Sequence, residues 1–404
     1  MTREIFVLGA ARTAIGTFGG SLKDQSPTGL GTVAVREAIA RAGVLPADVD
    51  HAVFGNVIPT EAADLFLGRT VAIGAGMPVE SLGLTVNRLC GSGAQAIVNA
   101  AQMIQLGDSR IAVAGGAEAM SRAPFSIPAM RYGQRMGDAL VYDWLHNTLA
   151  DPFGHGAMGA TAENLAEKFA ISRERQDAFA VESHRRAADA TAQGRFRSQI
   201  VGVELQTRKG LQVFDTDEHV RGGTTVADLA KLRAVFRDGG TVTAGNASGI
   251  NDGAAAVVLA GAEEVERRRL NPIGRLLAWG LAGVPPEIMG IGPVYAVPVA
   301  LKRAGLTLAD IAVIESNEAF AVQALSVIDG LGLDPAKVNP NGGAVALGHP
   351  LGATGAILTV KALYELQRIG GRYAVVTMCI GGGQGIALVL ENLVRHDATR
   401  ASIH

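Results

Sequence analysis

The chain has little cysteine, few aromatic side chains and no excess of either charge. Among 404 residues there are two Cys, 5% aromatics, and 36 Lys plus Arg against 38 Asp plus Glu, a formal net charge of -2. The two thiols, Cys90 and Cys379, lie far apart without CxxC or Cys/His ligand spacing, which argues against a disulfide scaffold and against a zinc site. Without a basic surplus, nucleic acid is not the partner that charge points to. No apolar run approaches the roughly 20 residues of a membrane helix, and the opening "MTREIFVLGAARTAIG" is too short and too charged for a secretory signal. The expectation is a soluble, cytoplasmic protein with no membrane partner.

What is present is small and apolar. Hydrophobic residues reach 48% and Gly alone numbers 52, a composition for helices and strands packed closely through small side chains. The length exceeds one ordinary domain. A repeat divides it: "AIARAGVLPADVDHAVFGNVI" is matched by "ALKRAGLTLADIAVIESNEAF". Each is followed by Val-Asn, a Gly-rich turn, an Ala-rich helix and a Val-rich strand. Between the copies the texture becomes charged and helical, as in "TAENLAEKFAISRERQDAFAVESHRRAADATAQG", where Ser172 predicts an N-cap and Gly194 a helix end. The reading is an α/β protein. Its N-terminal half occupies residues 1–120 and is rejoined by 246–273, an inserted loop domain occupies 121–245, and a C-terminal half occupies 274–404.

Chemistry-bearing residues fall at strand ends, where open α/β sheets place ligands. Cys90, in "VNRLCGSGAQAI", sits before a helix whose macrodipole and free N–H groups lower a thiol pKa and can hold an oxyanion; a buried free cysteine acting as a small hydrophobe is the alternative. His349, in "ALGHPLGATGA", sits between a turn glycine and Pro350, which predicts the start of the next helix, and by the repeat its turn is the counterpart of the Cys90 turn. Cys379 ends a strand before "IGGGQG", whose glycines leave N–H groups open. Asn317 reads either as a helix N-cap or as an amide aimed at an oxyanion or a water.

Six blocks in order, "VNRLCGSGAQAI", "GGAEAMSRAPF", "TVTAGNASGINDGAA", "SNEAFA", "NPNGGAVALGHPLGATGA" and "CIGGGQGIALV", resemble the signatures of the thiolases, acyl-CoA C-acyltransferases, over essentially the whole chain. The likeness to bacterial β-ketothiolases implies short-chain 3-ketoacyl-CoA metabolism and polyhydroxyalkanoate precursor supply. It implies two related βαβαβαββ halves in a five-layered α-β-α-β-α arrangement with an inserted loop domain. It implies Cys90 as acylated nucleophile, His349 as its base and Cys379 as second acid/base. Asn317, through a water, and His349 resemble one oxyanion hole; the N–H groups of Cys90 and Gly381 resemble the other. For CoA it implies Arg221 against the adenine, Ser248 on pantetheine, and Met158, Phe236, Ala244, Met289, Ala319 and Phe320 along the tunnel.

CoA and acyl-CoA are then substrates, no cofactor is implied, and a homodimer or homotetramer is expected, with "RYGQRMGD" resembling a tetramerisation loop. The sequence departs from the pattern at "FGHGAMGATAEN". Ala157 stands where many relatives have His, and His155 lies two residues earlier. Two readings stay open beside a thiolase: a 3-ketoacyl synthase-type condensing enzyme, which would lack the Cys379 acid/base, and a non-catalytic CoA- or lipid-binding protein of the same fold.

Overall fold

The computed structural model describes residues 3–208 and 210–394. The expected outer limits of the two halves, residues 1–2 and 395–404, lie outside it.

Nine strands carry the fold: β1 (Ile5–Thr13), β2 (His51–Gly55), β3 (Leu82–Val86), β4 (Ile111–Ala119), β5 (Asn251–Gly261), β6 (Gly274–Gly283), β7 (Ile311–Ser316), β8 (Tyr373–Ile380) and β9 (Gln384–Asn392). They lie in the order β7-β8-β9-β6-β1-β5-β4-β2-β3, one continuous path. The first half contributes β1 to β5 and the second β6 to β9, and each half has parallel strands outside and antiparallel ones inside. The halves are not separate sheets: β1 and β6 pair antiparallel through Ile5–Leu276, Phe6–Arg275 and Val7–Gly274. The repeat even extends to the β3 position, where the second half has only a parallel bridge of Ile314 with Val338.

The helices sort into layers by the strand faces they cover. Helices α1 (Pro27–Ala42) and α2 (Leu67–Gly74) cover the outer face of the first half, burying Leu30, Val35, Ile39 and Val71 against Leu8, Phe54 and Val113. Helices α3 (Ser92–Leu106) and α8 (Thr354–Ile369) fill the centre, between the inner faces of both halves. Helices α6 (Gly292–Ala304) and α7 (Ala321–Leu331) cover the outer face of the second half. Along β9 the two-residue period is explicit: Ile386, Leu388 and Leu390 face the central helices, Ala387 and Val389 the outer layer. Strands buried on both faces read as continuous apolar runs rather than alternating ones. Together these make α-β-α-β-α.

Local signals set the helix ends. Ser26 caps α1 by accepting from Gly29 N–H at 3.1 Å, Pro27 opens the helix, and Gly43 closes it in the left-handed region at φ 67°. The matching helix α6 ends on Gly305 at φ 69°. Between β4 and β5 run α4 (Met158–Lys168), α5 (Arg173–Ala192) and a hairpin of Val203–Thr207 with Gly210–Phe214. Ser172 does cap α5, accepting from Arg175 N–H. This segment is tied to the sheet by a buried ion pair, Arg12 donating to both oxygens of Asp217 at 2.8 and 2.9 Å and to Gln199 at 2.8 Å. Asp217 precedes the His219 and Arg221 segment at the cavity below.

Candidate active site

Two helix mouths meet because small residues let the backbones touch. A Cβ at Gly355 would stand 2.2 Å from Ala94 N, and one at Gly93 would stand 2.8 Å from Ala356 N, so α3 and α8 cross at their first turns. The sequence run "CGSGA" of α3 and "GATGA" of α8 are the same element used twice.

Cys90 stands just before α3, whose N-cap is Gly91. The turn is held in an unusual conformation: Leu89 is in the left-handed region at φ 46°, which a branched side chain rarely adopts. Asn87 Oδ1 accepts from Leu89 N–H at 2.9 Å, and Ser92 Oγ accepts from Arg88 N–H at 2.9 Å while donating to Leu89 C=O at 2.6 Å. These bonds fix both sides of the turn. The thiol interacts with the N–H groups of Gly381 and of Cys90 itself, both of which favour the thiolate. Burial outweighs them and pushes the thiol up to about 11. The expectation of a thiol acidified by the helix mouth is therefore corrected: donors are present, but desolvation of the charge wins.

His349 is buried, and burial pushes its imidazole down to about 4, so it is neutral at physiological pH. Its tautomer follows from its neighbours. Thr354 Oγ uses its hydrogen on Pro350 C=O at 2.9 Å, so at 2.7 Å from His349 Nδ1 it accepts, and Nδ1 carries the ring hydrogen. Nε2 is left as the acceptor, with Asn317 Nδ2 donating to it at 3.3 Å. Asn251 Oδ1 takes His349 N–H at 2.9 Å. Pro350 does not open the helix: it begins a turn, and α8 starts at Thr354 behind Ala353. Asn317 is likewise not an N-cap, since α7 begins at Ala321 behind Phe320. Its Oδ1 is buried with no hydrogen-bond partner among the described residues.

Cys379 is fully buried in β8, its thiol raised by burial first and then by Cys90 nearby. The structure therefore brings Cys90, Cys379 and Gly381 together, and His349 with Asn317. A cavity of about 1030 Å³ has His349 and Leu351 in its wall. Of the residues expected on CoA, Arg221, Ser248, Met158, Phe236, Ala244 and Phe320 line it. Met289 and Ala319 are buried in the apolar cluster with Phe320 and Cys379, and are not among the lining residues. Cys90 packs beside Met120, Leu145, Leu149 and Leu351, all of them cavity residues. Ala157 lines the wall, whereas His155 points to Glu287, 3.9 Å away, and is not part of it.

Sequence reasoning left Thr354, Asn251 and Glu118 without roles. Glu118 is fully buried and accepts from Asn56 Nδ2, Val57 N–H and Ile58 N–H at 3.0 Å each and from Gly352 N–H at 2.7 Å. Among the described residues no group of three His, Cys, Asp or Glu could hold a metal ion, and no helix is long and apolar enough to cross a membrane.

Comparison with known proteins gives a consistent result. Residues 5–263 match the model of the thiolase N-terminal domain and residues 270–392 that of the thiolase C-terminal domain. A β-ketothiolase, BktB, of Cupriavidus necator is 60% identical over 97% of this chain and 100% of its own. A mitochondrial 3-ketoacyl-CoA thiolase of Bos taurus is 46% identical over 97% and 99%. The crystal structure of human mitochondrial 3-ketoacyl-CoA thiolase in complex with CoA superposes with a TM-score of 0.94 at 44% identity, covering 96% of this chain and 98% of that one.

Proposed function

The chain belongs to the thiolase family, and on that premise we propose that it is an acyltransferase cleaving 3-ketoacyl-CoA with CoA, or running the reverse Claisen condensation of acetyl-CoA, through an acyl-Cys90 intermediate. The observation that carries this reading is the second thiol, Cys379, close enough to Cys90 for the Cys90 charge to raise it. A condensing enzyme that decarboxylates its donor has no use for it.

In thiolysis His349 Nε2 takes the Cys90 proton as sulfur attacks the 3-keto carbon. The oxyanion develops toward Cys90 N–H and Gly381 N–H. The bond between C2 and C3 breaks, its electron pair stays on C2, and Cys379 protonates the resulting enolate to release acetyl-CoA. The Cys379 thiolate then takes the proton of an incoming CoA thiol, which attacks the acyl-Cys90 thioester. Departing Cys90 recovers its proton from His349, so every proton is returned. Asn317 Oδ1, buried without a partner among the described residues, suits a water bridging the amide to a thioester oxygen.

CoA enters through the 1030 Å³ cavity, with Arg221 at the adenine end and Ser248 at the pantetheine. It is substrate, and no prosthetic group belongs to this reading. A homodimer or homotetramer and a cytoplasmic location complete it. For the oligomer, two unpartnered surfaces offer support: the edge strand β3, with Leu82 58% exposed, and the 125–144 segment, with Tyr132 94% exposed.

The test is intact mass after brief exposure to acetyl-CoA, for wild type and Cys90→Ser, beside a cleavage assay with acetoacetyl-CoA and CoA. A gain of about 42 Da on wild type only, with CoA-dependent cleavage, is expected. Neither acetylation nor cleavage would sink the short-chain reading.

A further inference from the structure

The internal repeat contains a second, inverted copy of the active-site framework, and that copy is not empty of chemistry. Register fixes the correspondence. In the first half Gly55 pairs with Gly116, and Glu118 pairs with Gly253. In the second half Ser316 pairs with Thr377, and Cys379 pairs with Gly385. Asn56 follows Gly55 as Asn317 follows Ser316, and Glu118 lies two residues beyond Gly116 as Cys379 does beyond Thr377. At the helix mouths "CGSGA" and "GATGA" align Cys90 with Gly352. The counterparts of Asn317, Cys379 and Cys90 are thus Asn56, Glu118 and Gly352.

These three are in direct contact. Glu118 Oε2 accepts from Gly352 N–H at 2.7 Å and from Val57 N–H, while Oε1 accepts from Ile58 N–H and from Asn56 Nδ2. All four partners are donors, and a proton on either oxygen would face an N–H, yet burial outweighs these bonds and, with Asp64 adding to it, pushes the Glu118 carboxyl up to about 8, so it ionises only toward alkaline pH. The contact leaves no slack, since a Cβ at Gly352 would meet Glu118 Oε2 at 2.7 Å and Asn56 Cα at 2.8 Å. Gly352 is three residues beyond His349, and Pro350 C=O between them anchors Thr354, which in turn fixes the His349 ring. The backbone of the 349–352 segment is thus held at both ends, His349 N–H by Asn251 and Gly352 N–H by Glu118.

We propose that Glu118 is a positioning residue for acyl transfer, its carboxyl group filling the duplicate of the active site and locking the segment that carries His349 to the half that carries Cys90. The inference rests on the reading of Cys90 as nucleophile. Once ionised, above about 8, the same carboxylate also acts on the Cys90 thiol and disfavours its ionisation. Glu118 consequently has two separable effects, one of position and one of charge. Glu118→Gln removes the charge and puts an NH2 against two N–H donors. Glu118→Asp keeps the charge but is one methylene too short to reach both loops.

The experiment is rapid-quench acetylation of Cys90 by acetyl-CoA, read by intact mass across neutral to alkaline pH on the full chain, with KM for CoA measured alongside. Both folded variants are expected to acetylate about tenfold or more slowly with KM for CoA retained. Only Glu118→Gln should move the thiol limb of the pH profile to lower pH. A Glu118→Gln rate within about twofold of wild type, a loss confined to KM, or a limb that moves in both variants or in neither overturns the inference. Should Glu118→Gln fail to fold, the rate of Glu118→Asp decides by the same criterion. Wild type that does not acetylate removes the nucleophile reading itself, whereas acetylating wild type with unchanged variants removes only the role of Glu118.

Discussion

Thr354→Val tests whether the protein sets the tautomer of its base. The substitution keeps the branched shape and deletes the hydroxyl that accepts from His349 Nδ1 at 2.7 Å and donates to Pro350 C=O at 2.9 Å. In the variant the ring hydrogen on Nδ1 has no acceptor, and the ring can move it to Nε2, the atom that must receive the thiol proton. The remaining restraint is the long 3.3 Å contact from Asn317. A buried hydrogen bond left unmade costs about 1–3 kcal/mol, which at 1.36 kcal/mol per decade is a loss of about 5- to 160-fold in kcat. The KM for CoA should hold, because Thr354 is not among the cavity residues. Thr354→Ser retains the hydroxyl and should recover most of the rate. The assay is steady-state cleavage of acetoacetyl-CoA by CoA for the three proteins, with melting temperature as a check on folding. A folded Val variant within about threefold of wild type in kcat would refute the tautomer argument.

The burial of neutral His349 also makes stability pH-dependent. Its folded value of about 4 lies below the ordinary 6.5, so between the two the unfolded chain binds a proton that the folded chain does not. Stability from this group is full above 6.5 and falls as pH drops toward 4, by up to about 1.4 kcal/mol per unit; equal acid slopes in denaturant titrations of wild type and His349→Asn would contradict it. Gly116→Ala would place a Cβ 2.0 Å from Gly352 C=O, and a loss of about 3 kcal/mol or outright insolubility is expected on denaturation; a change below about 1 kcal/mol would show the layers can part. Ala157→His should narrow the cavity wall and lower kcat/KM for branched or longer 3-ketoacyl-CoA more than for acetoacetyl-CoA. Equal specificity in both proteins counts against that.

Much of the architecture was legible because the chain states it twice. The "RAG" helix ends became Gly43 and Gly305 in the same left-handed conformation, and "CGSGA" and "GATGA" became the crossing first turns of α3 and α8. The joining of the halves was not legible. Phe6–Arg275 pairing is a long-range contact between strand edges, and nothing in either strand's own pattern marks which edge stays free. Asn317 and Pro350 misled for a local reason: both have strong helix-start propensities, but the Asn317 N–H is taken by Thr377 C=O across the sheet, and Pro350 opens only a turn, its C=O accepting from Ala353 and Thr354 ahead of α8.

The acidity of Cys90 shows where residue-level reasoning stops. A helix mouth and two N–H groups do point at the sulfur, as the sequence indicates, but the sign of the net effect is set by how much water the fold removes, with a carboxylate 28 residues away in sequence adding to it. With the thiol up at about 11 and the imidazole down at about 4, the resting pair is neutral thiol and neutral imidazole. Charge separation is then costly until a substrate carbonyl arrives to take up the negative charge. Donors aimed at Cys90 stabilise that oxyanion more than they stabilise a resting thiolate, and the barrier is lowered where the reaction needs it. The neutral pair that looks unreactive in the free protein is the one that keeps the N–H groups of Cys90 and Gly381 for the transition state.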